Sequence, residues 1–447
     1  MSESLLTRDQ AESLAKRALA LSKADEARVS ITSGWSGNTR FAGNEITTAG
    51  GTTDTGLTIS STVGRRRASV TTNVLDDAAL ARAVETSERI ARLSPEDPEI
   101  MPELGAQQYA AVEGFARTTA DLGPEARALA VQRVFDGVKQ AGGTASGDLF
   151  VAGFLEVSAA ARAVATSRGL FAYHRGTEAS LSTTVRTPDG TGSGYAAKGA
   201  LDWAAIDPAD IGRRAAAKGI ASRNPQAVEP GMYTVVLEPQ AVADLIPTIR
   251  GSLAARSADE GRSPFSKPDG GTKVGEKIAD ERVTIYSDPT DVDLLTQPFD
   301  GEGLPVRRTV WIEKGVLTNL AYPRFWAQKQ SKEPSGNGGG LKMSGGTKSV
   351  DELVAGTARG ILVTRLWYIR FLDPRTVMLT GLTRDGTFLI ENGKVTRPLK
   401  NFRFNDSPLL MLSRIDELGR AEPTSAGLVV PSMRVRDFNF SSLSDAV

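Results

Sequence analysis

Cysteine is absent from this chain of 447 residues, and histidine occurs once, at position 174. No disulfide can form, and no thiolate is available as a nucleophile or ligand. A protein-held catalytic zinc ordinarily draws three ligands from His, Cys and carboxylates. The usual imidazole or thiolate sites cannot be assembled from this chain, and neither H-E-x-x-H nor its inverted form occurs. Any Ser-His-Asp triad would have to use His174, whose context GLFAYHRGTEA reads as strand or turn; a packing or surface role is the simpler reading. No window approaches 18 consecutive apolar residues, so no helical membrane span is expected. The opening MSESLLTRDQAESLAKRALA is polar and amphipathic, unlike a signal peptide. Lys+Arg and Asp+Glu both number 53, and this balance gives no basic excess that would draw nucleic acid or an anionic membrane. A cytoplasmic protein is the expectation.

The chain has abundant glycine (45 residues), which implies many turns and much β-structure. Thr7 caps a predicted helix over Arg8–Leu21, and helices are expected at Asp76–Leu93, Pro124–Gln140, Asp207–Ser222 and Pro239–Leu253. Pro247 should kink or split the last of these. Short strands are expected at Ala27–Thr32, Asn38–Phe41, Gly56–Ser61 and Arg66–Thr71, with Gly43-Asn44 and Gly50-Gly51 as punctuation. Further strands are expected at Ser146–Ala159, Ala163–Ser167, Glu178–Arg186 and Tyr233–Glu238. The linker RNPQAVEPG (Arg223–Gly231) divides the sequence near residue 228. The expected class is α+β: an N-terminal α/β domain over 1–228 with helices on a mixed sheet, and a C-terminal, mainly antiparallel β domain over 229–447, barrel-like or made of twisted sheets.

Within the second half, Arg359–Leu412 holds two hairpin signals, Asp385-Gly386 and Asn392-Gly393, flanked by β-branched and aromatic residues. They predict a three-stranded meander preceded by a strand at Ile361–Leu372. No P-loop occurs, and Gly190-Thr191-Gly192-Ser193-Gly194 lacks a strand-to-helix setting, so it reads as a hairpin loop. The acidic run with Asp288, Asp291, Asp293, Asp300 and Glu302 could hold a hard cation, but its spacing fits no EF-hand and its Asp-Pro and Asp-Gly pairs favour turns. Ser331–Thr347 is a long Gly-rich loop that either moves freely at the surface or closes over an extended peptide.

Four stretches together resemble the TldD/PmbA family of peptidases: RFAGNEITTAGG (Arg40–Gly51), KVGEKIADERVTIYSDP (Lys273–Pro289), FDGEGLPVRRTVWIEKGVLTNL (Phe299–Leu320) and the run from Arg365 to Ser407. The resemblance implies a two-domain fold and a paired assembly. One subunit, TldD, carries zinc on an H-E-x-x-x-H helix with a later cysteine; the other, TldE or PmbA, lacks them. The helix that would carry the ligands is here QAVADLIPTIRGSLAARS, which offers Asp244 and no histidine, and PTSAGLVVPSMRVRDF has no cysteine. The chain therefore resembles a TldE-type subunit, with no catalytic or metal residue of its own and zinc expected in a TldD-like partner. The implied work is degrading or trimming unfolded and leader peptides as part of that heterodimer.

Loop tips beside strands are the expected chamber or dimer contacts: Asp300, Glu302 and Gly303; Gly338, Gly339 and Gly340; Arg384, Asp385 and Thr387. Two other readings stand beside this one. The chain could be an autonomous hydrolase using Asp300 and Glu302, or a homodimeric peptide-binding scaffold without catalysis.

Overall fold

The computed structural model describes residues 5–142, 149–295, 297–336 and 339–444. The first half runs α1 (Arg8–Ala20), β1 (Glu26–Ala42), β2 (Glu45–Val63), β3 (Arg66–Thr72), α2 (Asp77–Leu93), a short α3 (Arg117–Ala120) and α4 (Pro124–Gln140). It continues through β4 (Phe150–Thr166), β5 (Phe171–Arg186), β6 (Ser193–Ala200) and α5 (Pro208–Ala221). Helix starts follow their chemistry. The Thr7 hydroxyl accepts from the Gln10 amide while Gln10 reaches back to Thr7, and Asp76 caps α2 through the Ala79 amide.

The six strands form one sheet, ordered β3-β2-β1-β4-β5-β6, with every pair antiparallel. The expected short strands Ala27–Thr32 and Asn38–Phe41 fuse into β1. Gly50-Gly51 lies inside β2 rather than ending it, and only Gly43-Asn44 is a true turn, with φ of +62° and +70°. Alternation gives the sheet two unlike faces. Val29, Ile31, Leu57 and Ile59 pack under α1 and α2, and Phe41, Leu155, Val157 and Leu181 pack under α4 and α5. Each such buried side chain contributes roughly 1.5–3 kcal/mol relative to exposure. The helices α4 and α5 cross closely because Gly137 and Gly212 have no Cβ: one on Gly137 would lie 2.0 Å from the Ala209 carbonyl oxygen.

The second half contains β7 (Gly231–Leu237), α6 (Pro239–Ser252), α7 (Ala255–Asp259), β8 (Ile285–Ser287), β9 (Thr309–Glu313), β10 (Val316–Leu317), α8 (Arg324–Lys329), β11 (Lys342–Met343) and α9 (Val350–Ala355). After these come β12 (Arg359–Asp373), β13 (Met378–Glu391), β14 (Lys394–Pro398), β15 (Asn401–Asp406), α10 (Pro408–Ser413), β16 (Ile415–Pro423) and β17 (Val429–Ser444). Strands β7, β12, β13, β15 and β17 close on themselves, since β17 pairs with both β15 and β7. All pairs in this ring are antiparallel except β7–β12. Closure leaves β7 paired on both sides, while β12 beyond Val363 is paired with β13 alone among the described residues. Val235, Leu237, Phe402, Phe404, Phe438 and Phe440 share one core with Val242, Leu245, Ile246 and Ile249 of α6. Helix α6 passes through Pro247 as one element, without the expected split. The α+β class and the sheet-rich C-terminal half are those read from the sequence.

Asn392-Gly393 makes the β13–β14 hairpin, with Glu391 opposite Lys394. Asp385-Gly386 does not make a turn. β13 is continuous through it, and β12 pairs on both sides, Val363 with Thr387 and Arg365 with Arg384. Asp385 (φ +54°) and Gly386 (φ +124°) form a bulge with one more residue on β13 than on β12. Positive φ at an Asp-Gly pair serves a bulge as well as a hairpin, so the dipeptide alone does not separate them.

Candidate functional site

The helix-free face of the six-stranded sheet is polar. On β4 and β5, Ser158 stands opposite Glu178, Ala160 opposite Gly176, and Arg162 opposite His174. These residues form one wall of a cleft of about 430 Å³; loops of the barrel half, around Leu294–Leu295, Gly339–Gly340 and Gly427, form the other. Arg162 ties the walls together by donating from Nη1 to Gln297 Oε1 at 3.1 Å.

His174 Nε2 is buried with no hydrogen-bond partner among the described residues. Burial first, then the positive charges of Arg162 and Arg175, push its pKa down to about 4, so the imidazole is neutral at physiological pH. Burial and the nearby Glu156 raise the Glu178 carboxyl above its ordinary value, against the opposing pull of Arg162. Helix α6 sends Arg250 into the same cleft and into an adjoining cavity of about 720 Å³, where Pro247, Gly251 and Ala254 also line the wall. The Arg250 guanidinium has no ion-pair or hydrogen-bond partner among the described residues. Glycine-rich walls expose backbone, and the mixture of donors and acceptors around them suits main-chain contacts to an extended chain.

The expected site residues fall in three different places. Asp300 closes a turn, its Oδ1 accepting from the amides of Glu302 (2.9 Å) and Leu304 (3.0 Å). Glu302 pairs with Arg324 at 3.1 Å, and the Gly303 carbonyl accepts from Tyr109 at 2.8 Å, so this loop joins the two halves of the chain. Gly339 and Gly340 do line the cleft, and the Gly340 amide donates to Leu295; Gly338 lies outside the described residues. Arg384, Asp385 and Thr387 are not loop tips. They belong to β13, and the Asp385 side chain is buried, accepting from Ser193 Oγ of β6 at 2.5 Å beside Arg365 and Arg384. The acidic run folds as turns, with Asp288 and Asp291 each accepting from the amide two residues on, and with Lys342 Nζ held by Asp291 (2.9 Å) and Asp293 (2.8 Å).

Arg162, His174, Glu178 and Arg250 were not singled out as a cleft by sequence reasoning. The signal was the alternation of polar residues along β4 and β5, which the expected break between Ala159 and Ala163 interrupted.

Three consecutive segments match domains of one family. Residues 27–91 match the PmbA/TldA metallopeptidase domain 1, residues 124–223 its central domain, and residues 230–442 its C-terminal domain. The chain belongs to the PmbA/TldD family. Metalloprotease PmbA of Escherichia coli O157:H7 is 23% identical over 438 residues, 93% of each chain. A metalloprotease of Methanothermobacter thermautotrophicus is 30% identical over 230 residues, which cover 48% of this chain and 48% of that relative. The alignment with this archaeal relative therefore spans about half of its length. The crystal structure of TldE from Thermococcus kodakarensis superposes with a TM-score of 0.85 at 21% identity, covering 96% of this chain and 99% of that one; this likeness is one of fold.

A metallopeptidase family implies a metal, and among the described residues of this PmbA/TldD member no donor set that fits one is assembled. The positions of α6 that line the cavity adjoining the cleft are Pro247, Arg250 and Gly251, and Arg250 brings a positive charge. Asp244 is committed elsewhere: it accepts from Gln240 Nε2 (2.9 Å) and the Leu366 amide (2.8 Å), and burial raises its pKa to about 6. Among the described residues no three His, Cys, Asp or Glu side chains converge on one point. Among the described residues no helix is long and apolar enough to cross a membrane.

Proposed function

We propose that this PmbA/TldD chain is the non-catalytic subunit of a TldD/TldE-type cytoplasmic metalloprotease, and that its cleft helps to hold an extended unfolded or leader peptide beside a partner's zinc. The observation that carries the reading is Arg250, which projects a guanidinium from the helix where the family would place metal donors. A divalent ion beside that cation would be repelled.

A partner surface is supported by β12. Beyond Val363 its outer edge pairs with no strand among the described residues. Along this free stretch Trp367, Tyr368, Phe371 and Leu372 are exposed. Contiguous exposed apolar side chains on an open edge mark an interaction site. The autonomous-hydrolase reading is weakened by Asp300 and Glu302, whose carboxylates are engaged by backbone amides and by Arg324.

The test is to purify the chain alone and co-expressed with a TldD-like protein from the same source, and to measure zinc and peptidase activity in each. Zinc and cleavage are expected only in the co-purified complex. Stoichiometric zinc with chelator-sensitive cleavage by the lone chain would refute the proposal. A stable complex of two copies of this chain, with no uptake of the TldD-like protein, would favour the homodimeric scaffold.

A further inference from the structure

On the helix-covered side of the first sheet, opposite the cleft, a cavity of about 630 Å³ lies between β1–β2 and the start of α4. Its floor is a pair of glycines facing each other across the strands, Gly37 and Gly51. Glycine weakens a strand interior and often marks a close approach by a ligand or another group. Here the approaching group is Arg127: a Cβ on Gly37 would lie 2.5 Å from Arg127 Nη1. Arg127 is 4% exposed. Its Nη1 donates to the Leu122 carbonyl (3.0 Å) and Nη2 to the Gly50 carbonyl (3.4 Å), while Nε has no partner among the described residues. No carboxylate pairs with this guanidinium among the described residues.

A buried cation without a counter-charge is costly, and natural interiors pair such groups. Helix α4 begins at the cavity wall with Gly123 as its N-cap and no side-chain cap, so its first-turn amides add positive potential there, offset in part by the exposed Glu125 of the same turn. The acidic group lining the cavity, Asp121, is exposed at the rim. Trp35, Ala49, Leu122 and Pro124 add apolar wall.

From this combination we infer that the cavity is a binding site for a carboxylate carried on an apolar body, with Arg127 as its cation. The ligand's carboxylate comes from either a small organic acid or the free C-terminus of a peptide. The site is independent of the cleft and of the subunit reading, and it gives a role to the Arg40–Gly51 stretch, whose Gly50 and Gly51 shape the cavity.

The test titrates the full chain with 3-phenylpropionate, with the tripeptide Ala-Ala-Phe as free acid, and with the same peptide amidated. Wild type, Arg127→Met, Ala49→Trp and Arg250→Gln are compared by calorimetry. Both free acids should bind wild type saturably, and the amide should bind at least about tenfold more weakly because the charge-assisted pair is lost. Arg127→Met should abolish binding. Ala49→Trp, which fills the cavity and keeps Arg127, should weaken it at least about tenfold by exclusion; this variant decides the matter if Arg127→Met does not fold. Arg250→Gln should leave it unchanged. A free-acid peptide that binds much more tightly than 3-phenylpropionate assigns the peptide terminus, and equal affinity assigns the small acid. Equal binding of acid and amide, no saturable binding by wild type, or loss in Arg250→Gln with none in Ala49→Trp would overturn the inference. Those outcomes leave the subunit proposal, which is read from zinc and activity, untouched.

Discussion

Replacing Asp385 by alanine should unfold this protein far more easily than a single strand residue would suggest. The side chain is 3% exposed, accepts from Ser193 Oγ at 2.5 Å, and stands 3.5 Å from Arg365 Nη1 and 3.8 Å from Arg384 Nε. Ser193 belongs to the first sheet and Asp385 to the barrel, so one carboxylate joins the two. Its removal strands Arg365, whose Nε is already partnerless. Breaking a buried pair from one side costs about 3–5 kcal/mol. The left-handed backbone at Asp385, φ +54°, adds about 1 kcal/mol for an alanine. Asp385→Asn keeps both an acceptor for Ser193 and tolerance of that backbone, and should cost only about 2 kcal/mol. Guanidinium unfolding followed by circular dichroism measures both. Ser193→Ala alone should cost about 1 kcal/mol, and the double variant should cost less than the sum because the groups share one interaction. A loss below about 1 kcal/mol for Asp385→Ala, or strict additivity with Ser193→Ala, would refute this account.

Gly137→Ala should destabilise by about 3 kcal/mol in the same assay, because its Cβ would meet the Ala209 carbonyl of α5. Gly251→Ala, where a Cβ meets nothing within 4 Å on α6, should stabilise by about 0.5–1 kcal/mol. His174 has a folded pKa near 4 against an ordinary 6.5, so the unfolded chain binds the proton first as pH falls. Its contribution is complete above pH 6.5 and drains away as pH drops toward 4. Allowing for partial solvent screening, this is about 1–2 kcal/mol. His174→Asn should remove that pH dependence, which unfolding curves between these limits will show. Trp367→Lys should weaken uptake of the TldD-like partner at least tenfold, by about 1.4 kcal/mol or more in pull-down titrations, with unfolding unaltered.

The long helices were legible because their caps and apolar spacing are local, while the helices of four to six residues, such as α3 and α10, are too short to show a period. Thr7, Asp76, Pro124 and Asp207 sit where the helix starts require them. Strand lengths were not legible, because glycine carries two meanings. At Gly43 it permits a turn, while at Gly34 it lets β1 approach β4, where a Cβ would lie 2.9 Å from the Ala159 carbonyl. Only the neighbouring strand distinguishes them. Asp385-Gly386 failed for the same reason: the backbone conformation was foreseeable, but the long partner β12 that keeps β13 straight was not. The cleft eluded the sequence because Arg162 and His174 meet by register, and Arg250 reaches them from a helix in the other half.

The ring of strands in the second half also sets a timetable. β7 and β17 lie about 200 residues apart, and neither can complete its hydrogen bonds until the other exists. During synthesis, at about 5–20 residues per second, β7 waits many seconds with its β17 side unpaired, and Phe402 and Phe404 wait for Phe438 and Phe440 to cover them. The six-stranded sheet has a shorter wait, since β1 needs only β4, about 110 residues further on. A nascent chain of this kind should recruit holding chaperones over the stretch from Gly231 onward, and a ribosome-bound chain stalled before Val429 should remain protease-sensitive there while its first sheet is already resistant.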